Sequence, residues 1–255
     1  MKRWLAGGAG FDLSAIDPDG TDGAPGDEDA TKAAFKALRH ELADWQERLY
    51  AESSQALLIV LQAIDGGGKD STIKKVFRGV NPQGCRVVSF KEPSEEELAH
   101  DFLWRVHKRA PAKGEFGVFN RSHYEDVLVV RVHNMVPEPV WRDRYHVINA
   151  FEHGLTQADT RIVKFFLHIS KEEQARRFKS RQERPDKHWK YNPGDEKERQ
   201  HWDDYQAAFA DAITATSTDE APWYVVPANH KWYRNWVVAS ILVDTLRDMN
   251  PQYPA

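Results

Sequence analysis

The chain runs to 255 residues, with 35 Lys and Arg against 39 Asp and Glu and a formal net charge of −4. That length buries a sizeable core, and the acidic balance gives no global pull toward nucleic acid, so any anion site is built from a local cluster. Cys85 is the only cysteine, which excludes an intrachain disulfide, and the longest strongly apolar run, "ALLIVLQAI", is far short of the ~20 residues of a membrane span.

The start, "MKRWLAGGAGFDL", has two basic residues but no sustained apolar core, so no signal peptide is expected and the reading is of a cytoplasmic protein with no membrane partner. Residues 17–29, "DPDGTDGAPGDED", offer almost nothing to bury, and residues 1–29 are expected to form an irregular arm. Residues 31–53 then have helical spacing, with Phe35, Leu38, Leu42, Trp45 and Leu49 on one face. Five apolar runs follow, at 57–63, 86–90, 116–119, 162–169 and 223–227, continuous rather than alternating, as strands buried on both faces are. Helical patterns separate them at 72–79, 95–108, 123–134, 140–158, 171–182 and 195–212, and a last helix covers 232–247. Strands alternating with helices predict an α/β fold of three layers around a parallel five-stranded sheet, as a single domain over residues 30–255. The Trp-rich last helix is expected on the sheet, with a homo-oligomer interface as the alternative.

One stretch breaks the pattern. Residues 176–206 are dense in charge, carry Trp189, Tyr191, Trp202 and Tyr205, and are punctuated by Pro185 and the "NPGD" turn. A solvated helix–turn–helix is one reading. The other is a mobile lid that brings Arg176, Arg177, Arg181 and Arg184 over a polyanion.

"AIDGGGKDST", residues 63–72, sits between the first apolar run and a helix, where phosphate-binding loops of the G-x-x-x-x-G-K-[ST] type sit. Gly66, Gly67 and Gly68 let backbone amides approach phosphate, and Lys69 reaches its oxygens. Asp70, Ser71, Lys74 and Lys75 complete the expected phosphate-binding set, although the two lysines also read as solvated charges. The match is imperfect: Ala63 stands at the first glycine, and Asp70 stands where a Ser or Thr hydroxyl would help hold Mg²⁺. Hard oxygen ligands suit Mg²⁺, and Asp65 is the expected substitute. A second carboxylate should come from a neighbouring strand end, where "NRSHYED" supplies Arg121, Glu125 and Asp126. Ser122 and Glu125 fit a capping box, which assigns Glu125 a structural role and leaves Asp126 as the second metal ligand; ordinary first-turn dipole compensation is the alternative for Asp126. His123 and His133 lack zinc-ligand spacing, and Cys85 has no evident base partner.

These motifs resemble the polyphosphate kinase 2 family. The resemblance rests on "LQAIDGGGKDSTIKKVFRGVNPQG", "FLWRVHKRAPAKGEFGVFNRSHYEDVLVVRVH", "RRFKSRQERPDKHWKYNPGDEKERQHWDDY" and "WYVVPANHKWYRNW", and covers the chain from about residue 30 onward. It implies a P-loop kinase fold like that of thymidylate kinase with a helical lid. It also implies Mg²⁺-dependent transfer of a terminal phosphoryl group between inorganic polyphosphate and a nucleotide, AMP to ADP and/or ADP to ATP. Position by position it implies catalytic roles for Asp65, Lys69, Arg121, Asp126, Arg177 and Arg181, with Asp65 and Asp126 sharing the metal. An ATP-dependent nucleoside monophosphate kinase, a non-catalytic nucleotide- or polyphosphate-binding regulator and a nucleic-acid module are the rivals.

Overall fold

Every residue of the run Ala56–Gln62 is buried, as an apolar stretch covered on both faces must be. In this computed structural model, which describes residues 2–8, 10–190, 192 and 194–254, that run lies inside a six-stranded sheet. The strands are β1 (Leu5–Ala6), β2 (Ala56–Gln62), β3 (Cys85–Ser89), β4 (Phe116–Asn120), β5 (Thr160–His168) and β6 (Trp223–Pro227). Their spatial order is β1-β6-β5-β2-β4-β3, parallel throughout except for β1, which runs antiparallel to β6. The expected sheet had five strands. The sixth is the two-residue β1, which pairs Leu5 with Tyr224 and is too short to leave a periodic signature.

The helices are α1 (Glu28–Glu52), α2 (Lys69–Val76), α3 (Glu138–Thr156), α4 (Lys171–Glu183), α5 (Trp202–Thr216) and α6 (Lys231–Met249). The pair α3 and α5 covers the face toward which Lys164 and Phe166 of β5 point; α6 covers the other, with α1 and α2 packed on it. Three expected helices are broken, 195–212 among them, where a short turn at Gly194–Glu198 and a 3₁₀ turn at Arg199–His201 precede α5. Residues 95–108 form two single turns, Glu95–Leu98 and Trp104–His107, with the Asp101 carboxylate accepting from the Leu103 amide at 3.0 Å between them. Residues 123–134 form a 3₁₀ turn, His123–Val127, and a short α turn, Val129–Val132. Of residues 176–206, Tyr191 and Pro193 lie outside the described residues.

Two features hold the functional end of the sheet. Trp4, Pro18 and Asp22 are tied to the β6–α6 junction: Trp4 Nε1 donates to the Tyr233 hydroxyl at 3.1 Å, which donates to the Asp22 carbonyl at 2.6 Å, and the Asn229 amide donates to the Pro18 carbonyl at 3.2 Å. Beneath the β4 end lies a buried ionic cluster. Lys164 Nζ donates to Glu152 at 2.5 Å, to the Tyr124 hydroxyl at 2.8 Å and to the Thr216 carbonyl at 2.8 Å, and Glu152 also accepts from Tyr124 at 2.9 Å. A buried charge is tolerated when paired and hydrogen-bonded in this way, and here it ties the 3₁₀ turn to α3, α5 and β5.

Candidate active site

The loop after β2 lies where the chain turns from β4 on one side of β2 to β5 on the other, the crevice at which parallel α/β sheets bind ligands. Gly68 ends the loop as N-cap of α2 with φ +104°, and a Cβ there would lie 2.3 Å from Arg234 Nη1. A Cβ on Gly67 would lie 2.4 Å from that of Ala63, so the glycine at 67 makes the room that alanine at 63 uses. Lys69 Nζ donates to the Ala63 carbonyl at 2.7 Å, folding back over the loop. Burial holds the Lys69 ammonium below its usual range, with Asp65 opposing.

Arg121 arrives from β4. Its backbone takes φ +60°, uncommon for a residue with a Cβ, and its amide donates to the Leu61 carbonyl at 3.1 Å. That bend carries the guanidinium over the loop, where Nη2 donates to Asp65 Oδ1 at 2.5 Å. Burial raises the Asp65 carboxyl, but the charges of Lys69 and Arg121 outweigh it and hold the group below its ordinary value. Asn120 donates to the Asp70 carboxylate at 2.8 Å, tying the start of α2 to the same strand end.

Helix α4 lies on the other side of the cleft. Arg177 donates from Nη1 to the Gly66 and Gly67 carbonyls, both at 2.9 Å, from Nη2 to Ala228 at 2.6 Å and Asn229 at 3.3 Å, and from Nε to Glu173 at 2.7 Å. All five of its donors are therefore spent on protein acceptors, and Arg177 clamps the loop rather than reaching for an anion. Arg181 pairs with Asp195 at 3.0 Å and faces the cleft; Arg176, 68% exposed, pairs with Glu173 at 3.0 Å and does the same. Arg184 pairs with Asp186 at 2.9 Å and does not line the cleft.

Between the loop and α4 is a cleft of about 780 Å³. Eight cations line it: Lys69, Lys91, Arg121, Arg176, Arg177, Arg181, Lys187 and Lys231. Four carboxylates oppose them, Asp65, Asp70, Glu92 and Glu173, so a chain with net charge −4 has a cationic cleft. Gly66, Gly68, Asp70 and Ser71 line it as expected, and Gly67 contributes its carbonyl to Arg177; Lys74 and Lys75 are exposed on α2 and do not line it.

The two acidic residues after Arg121 sit differently from expectation. No capping box forms at Ser122, because the first turn is 3₁₀: its hydroxyl accepts from the Tyr124 amide at 3.2 Å and from Gln62 Nε2 at 3.1 Å. Glu125 is thereby released from a capping role. Burial raises its carboxyl, Arg121 and Lys69 oppose that, and the Asp65 charge adds to it, so Glu125 belongs electrostatically to the loop site. Asp126 faces Arg144, whose Nη1 lies 3.4 Å from its carboxylate and donates to its carbonyl at 2.8 Å. Neither Glu125 nor Asp126 is among the residues lining the cleft, and burial, against Arg144 and Arg105, pushes Asp126 up to about 6. Among the described residues no group of three or more His, Cys, Asp or Glu side chains forms a metal cage. Hard-oxygen donors at the cleft suit a cation that takes one or two carboxylates and completes its shell with water and substrate phosphates. Sequence reasoning also passed over Arg234, buried against the loop, because nothing in the pattern of α6 separates it from surface arginines.

A glycine loop after a central parallel strand, a lysine folded over it and an arginine-bearing helix across the cleft define a phosphoryl-transfer type of α/β fold. The chain belongs to the polyphosphate kinase 2 family, whose model, "Polyphosphate kinase 2 (PPK2)", matches residues 26–254. It is 54% identical over 255 residues to the AMP/ADP-polyphosphate phosphotransferase of Meiothermus ruber, covering 100% of this chain and 96% of that one. It is 45% identical over 225 residues to the ADP-polyphosphate phosphotransferase of Rhodopseudomonas palustris, covering 84% of this chain and 78% of the relative. The crystal structure of polyphosphate kinase 2 from Arthrobacter aurescens TC1 superposes with a TM-score of 0.96 at 45% identity, over 98% of this chain and 90% of that one.

Proposed function

We propose that this chain transfers the terminal phosphoryl group between inorganic polyphosphate and a nucleotide, with AMP and ADP both as acceptors and Mg²⁺ as the metal. The observation that carries the reading is the convergence of eight cations on a glycine loop in a net-acidic chain. Phosphoryl transfer asks for in-line positioning and charge neutralisation and little covalent chemistry from the protein. The acceptor is itself an ionised phosphate, so no general base is required, and no histidine is among the described residues that line the cleft. The relative at 54% identity, named for both AMP and ADP, supports the double acceptor range.

In this reading Lys69, Arg121, Arg176 and Arg181 grip phosphate oxygens, the loop amides from Gly66 to Ser71 cradle them, and Arg177 keeps the loop in shape. Asp65, which lines the cleft, is the first carboxylate for Mg²⁺, and Glu125, close in charge to Lys69 and Arg121, is taken for the second position with Asp126 its rival. Mg²⁺ would supply charge neutralisation between the reacting oxygens. Arg121, paired with Asp65 at 2.5 Å, holds that carboxylate ionised and oriented.

The test is an assay of purified protein with polyphosphate, Mg²⁺ and AMP or ADP separately, and with ATP replacing polyphosphate as donor. Formation of ADP and ATP from polyphosphate is expected. Turnover with ATP and AMP alone would favour an ordinary nucleoside monophosphate kinase, and binding without turnover from either donor would favour a regulator.

A further inference from the structure

The Arg234 guanidinium is 1% exposed, packs against Gly68 of the glycine loop and is not among the residues lining the cleft. Its Nε and Nη2 donate to the neutral Asn235 Oδ1 at 3.2 and 2.9 Å, and Nη2 donates to the Ser71 hydroxyl at 3.1 Å. Nη1 is buried without a hydrogen-bond partner, and it is the atom that a Cβ on Gly68 would strike. Among the described residues the charge felt most strongly by Arg234 is that of another cation, Arg177. Burial and then that neighbour lower its pKa to about 9, in keeping with a cation short of compensation.

An unpaired buried cation is costly to a fold, and a neutral side chain of the same length would be accommodated at less cost. The placement has a use only when negative charge arrives at Gly68. The connection to the cleft is short: Arg234 donates to Ser71, Ser71 donates to the Gly68 carbonyl at 2.9 Å, and both Ser71 and Gly68 line the cleft. Arg177 is the useful contrast. It approaches Gly68 too, yet its donors are consumed by carbonyls and it is paired with Glu173.

We infer that Arg234 is a positioning residue for the phosphate chain held by the loop, a buried guanidinium against Gly68 and Ser71 whose charge is compensated by the bound polyanion. It touches no substrate; it orients the Ser71 hydroxyl and raises the potential at the loop. The inference rests on the polyphosphate reading and adds to it a residue outside the cleft.

The experiment compares wild type, Arg234→Met, Arg234→Lys and Arg234→Gln. Thermal unfolding is followed with and without inorganic polyphosphate in Mg²⁺, beside steady-state constants for polyphosphate and for AMP or ADP. Arg234→Met should melt at or above the wild-type temperature without polyphosphate, and polyphosphate should raise its Tm by less than it raises that of wild type. KM for polyphosphate should rise about tenfold, a change of about 1.4 kcal/mol, with kcat altered less. Arg234→Lys keeps the charge without the fork and should fall between, and Arg234→Gln serves if the methionine variant does not fold. Wild-type polyphosphate KM and Tm shift in both neutral variants overturn the inference. So does a variant destabilised without polyphosphate and restored by lysine while binding stays unchanged, since that marks a structural role. Wild type run in the same assays separates the two readings: no turnover and no polyphosphate shift there would overturn the proposed function itself.

Discussion

The Arg177 guanidinium donates to the Gly67 carbonyl at 2.9 Å from more than a hundred residues downstream, and so couples α4 to the inside of the loop. The side chain is 10% exposed, and its remaining donors hold Gly66, Ala228, Asn229 and Glu173. Arg177→Ala should cost about 2–4 kcal/mol, because it removes charge-assisted hydrogen bonds and strands carbonyls that are shut off from water. Arg176→Ala, at an exposed neighbour, should stay within about 0.5 kcal/mol and act instead on KM for polyphosphate. Urea unfolding of both variants, with activity measured in parallel, checks the contrast. Equal stability losses would remove the distinction between clamp and gripping arginine.

Asp65→Asn should reduce turnover by about 10²–10³-fold or more, since it takes away a fixed charge at the reacting centre. The fold should survive. Asp65 and Arg121 are 32% and 39% exposed as side chains, and a pair so open to solvent contributes no more than about 1 kcal/mol. The check is a phosphoryl-transfer assay beside a thermal melt, and retained activity in a folded variant would exclude Asp65 from the chemistry.

Much of this was legible in the chain. The buried strands announce themselves through unbroken apolar runs such as Leu57–Leu61, and the loop through three consecutive glycines before Lys69. What failed to show was any feature decided by tertiary partners. Ser122 and Glu125 have the spacing of a capping box, but a 3₁₀ turn shortens the reach of Ser122 to Tyr124, and Gln62 from β2 takes up the same hydroxyl. Arg177 and Arg181 look alike on a helix flank; only the positions of the loop carbonyls and of Asp195 give them different work. The two residues of β1 carry no period and are recruited by the open edge of β6.

Lys164→Met should destabilise the protein by about 3–5 kcal/mol, because it takes the lysine cation from the buried Glu152 and leaves that carboxylate only His123 and the Tyr124 hydroxyl. Replacing both, as Lys164→Met with Glu152→Leu, should recover part of the loss, since no unpaired charge remains although His123 and Tyr124 lose their acceptor. Denaturant titration of the two single variants and the double closes the cycle. Strictly additive losses would mean that the pair acts as two independent residues.

His168 gives a pH signature to the packing of the N-terminal residues. Burial pushes its imidazole down to about 4 from an ordinary 6.5, with Ile16 and Asp17 the groups that oppose. The unfolded chain therefore binds the proton more tightly, so this contribution to stability is complete above about 6.5 and is lost as pH falls toward 4. The shift corresponds to about 3 kcal/mol at most. His168→Gln should flatten the pH dependence of unfolding across that window, as read by denaturant melts at pH 4.5, 5.5 and 7. An unchanged slope in the variant would assign the acid sensitivity elsewhere.

The two neighbouring carboxylates after Arg121 make opposite predictions. Neither lines the cleft, but Glu125 senses Lys69, Arg121 and Asp65, whereas Asp126 faces Arg144. Glu125→Gln should lower turnover about 10²-fold or more and raise the Mg²⁺ concentration needed for half-maximal rate. Asp126→Asn should change turnover by less than about tenfold and act on stability instead, since its carboxylate faces Arg144. Burial holds Asp126 up to about 6 against an ordinary 3.8, so the folded state binds that proton more tightly than the unfolded chain does. Stability from this group accordingly declines as pH rises through that interval, and Asp126→Asn should remove the decline and melt higher at pH 7. Magnesium titrations and melts of both variants decide the matter. If Asp126→Asn is the variant with the lost rate and the raised Mg²⁺ requirement, the metal partner of Asp65 is Asp126, and the turn from Ser122 must rearrange to bring it in.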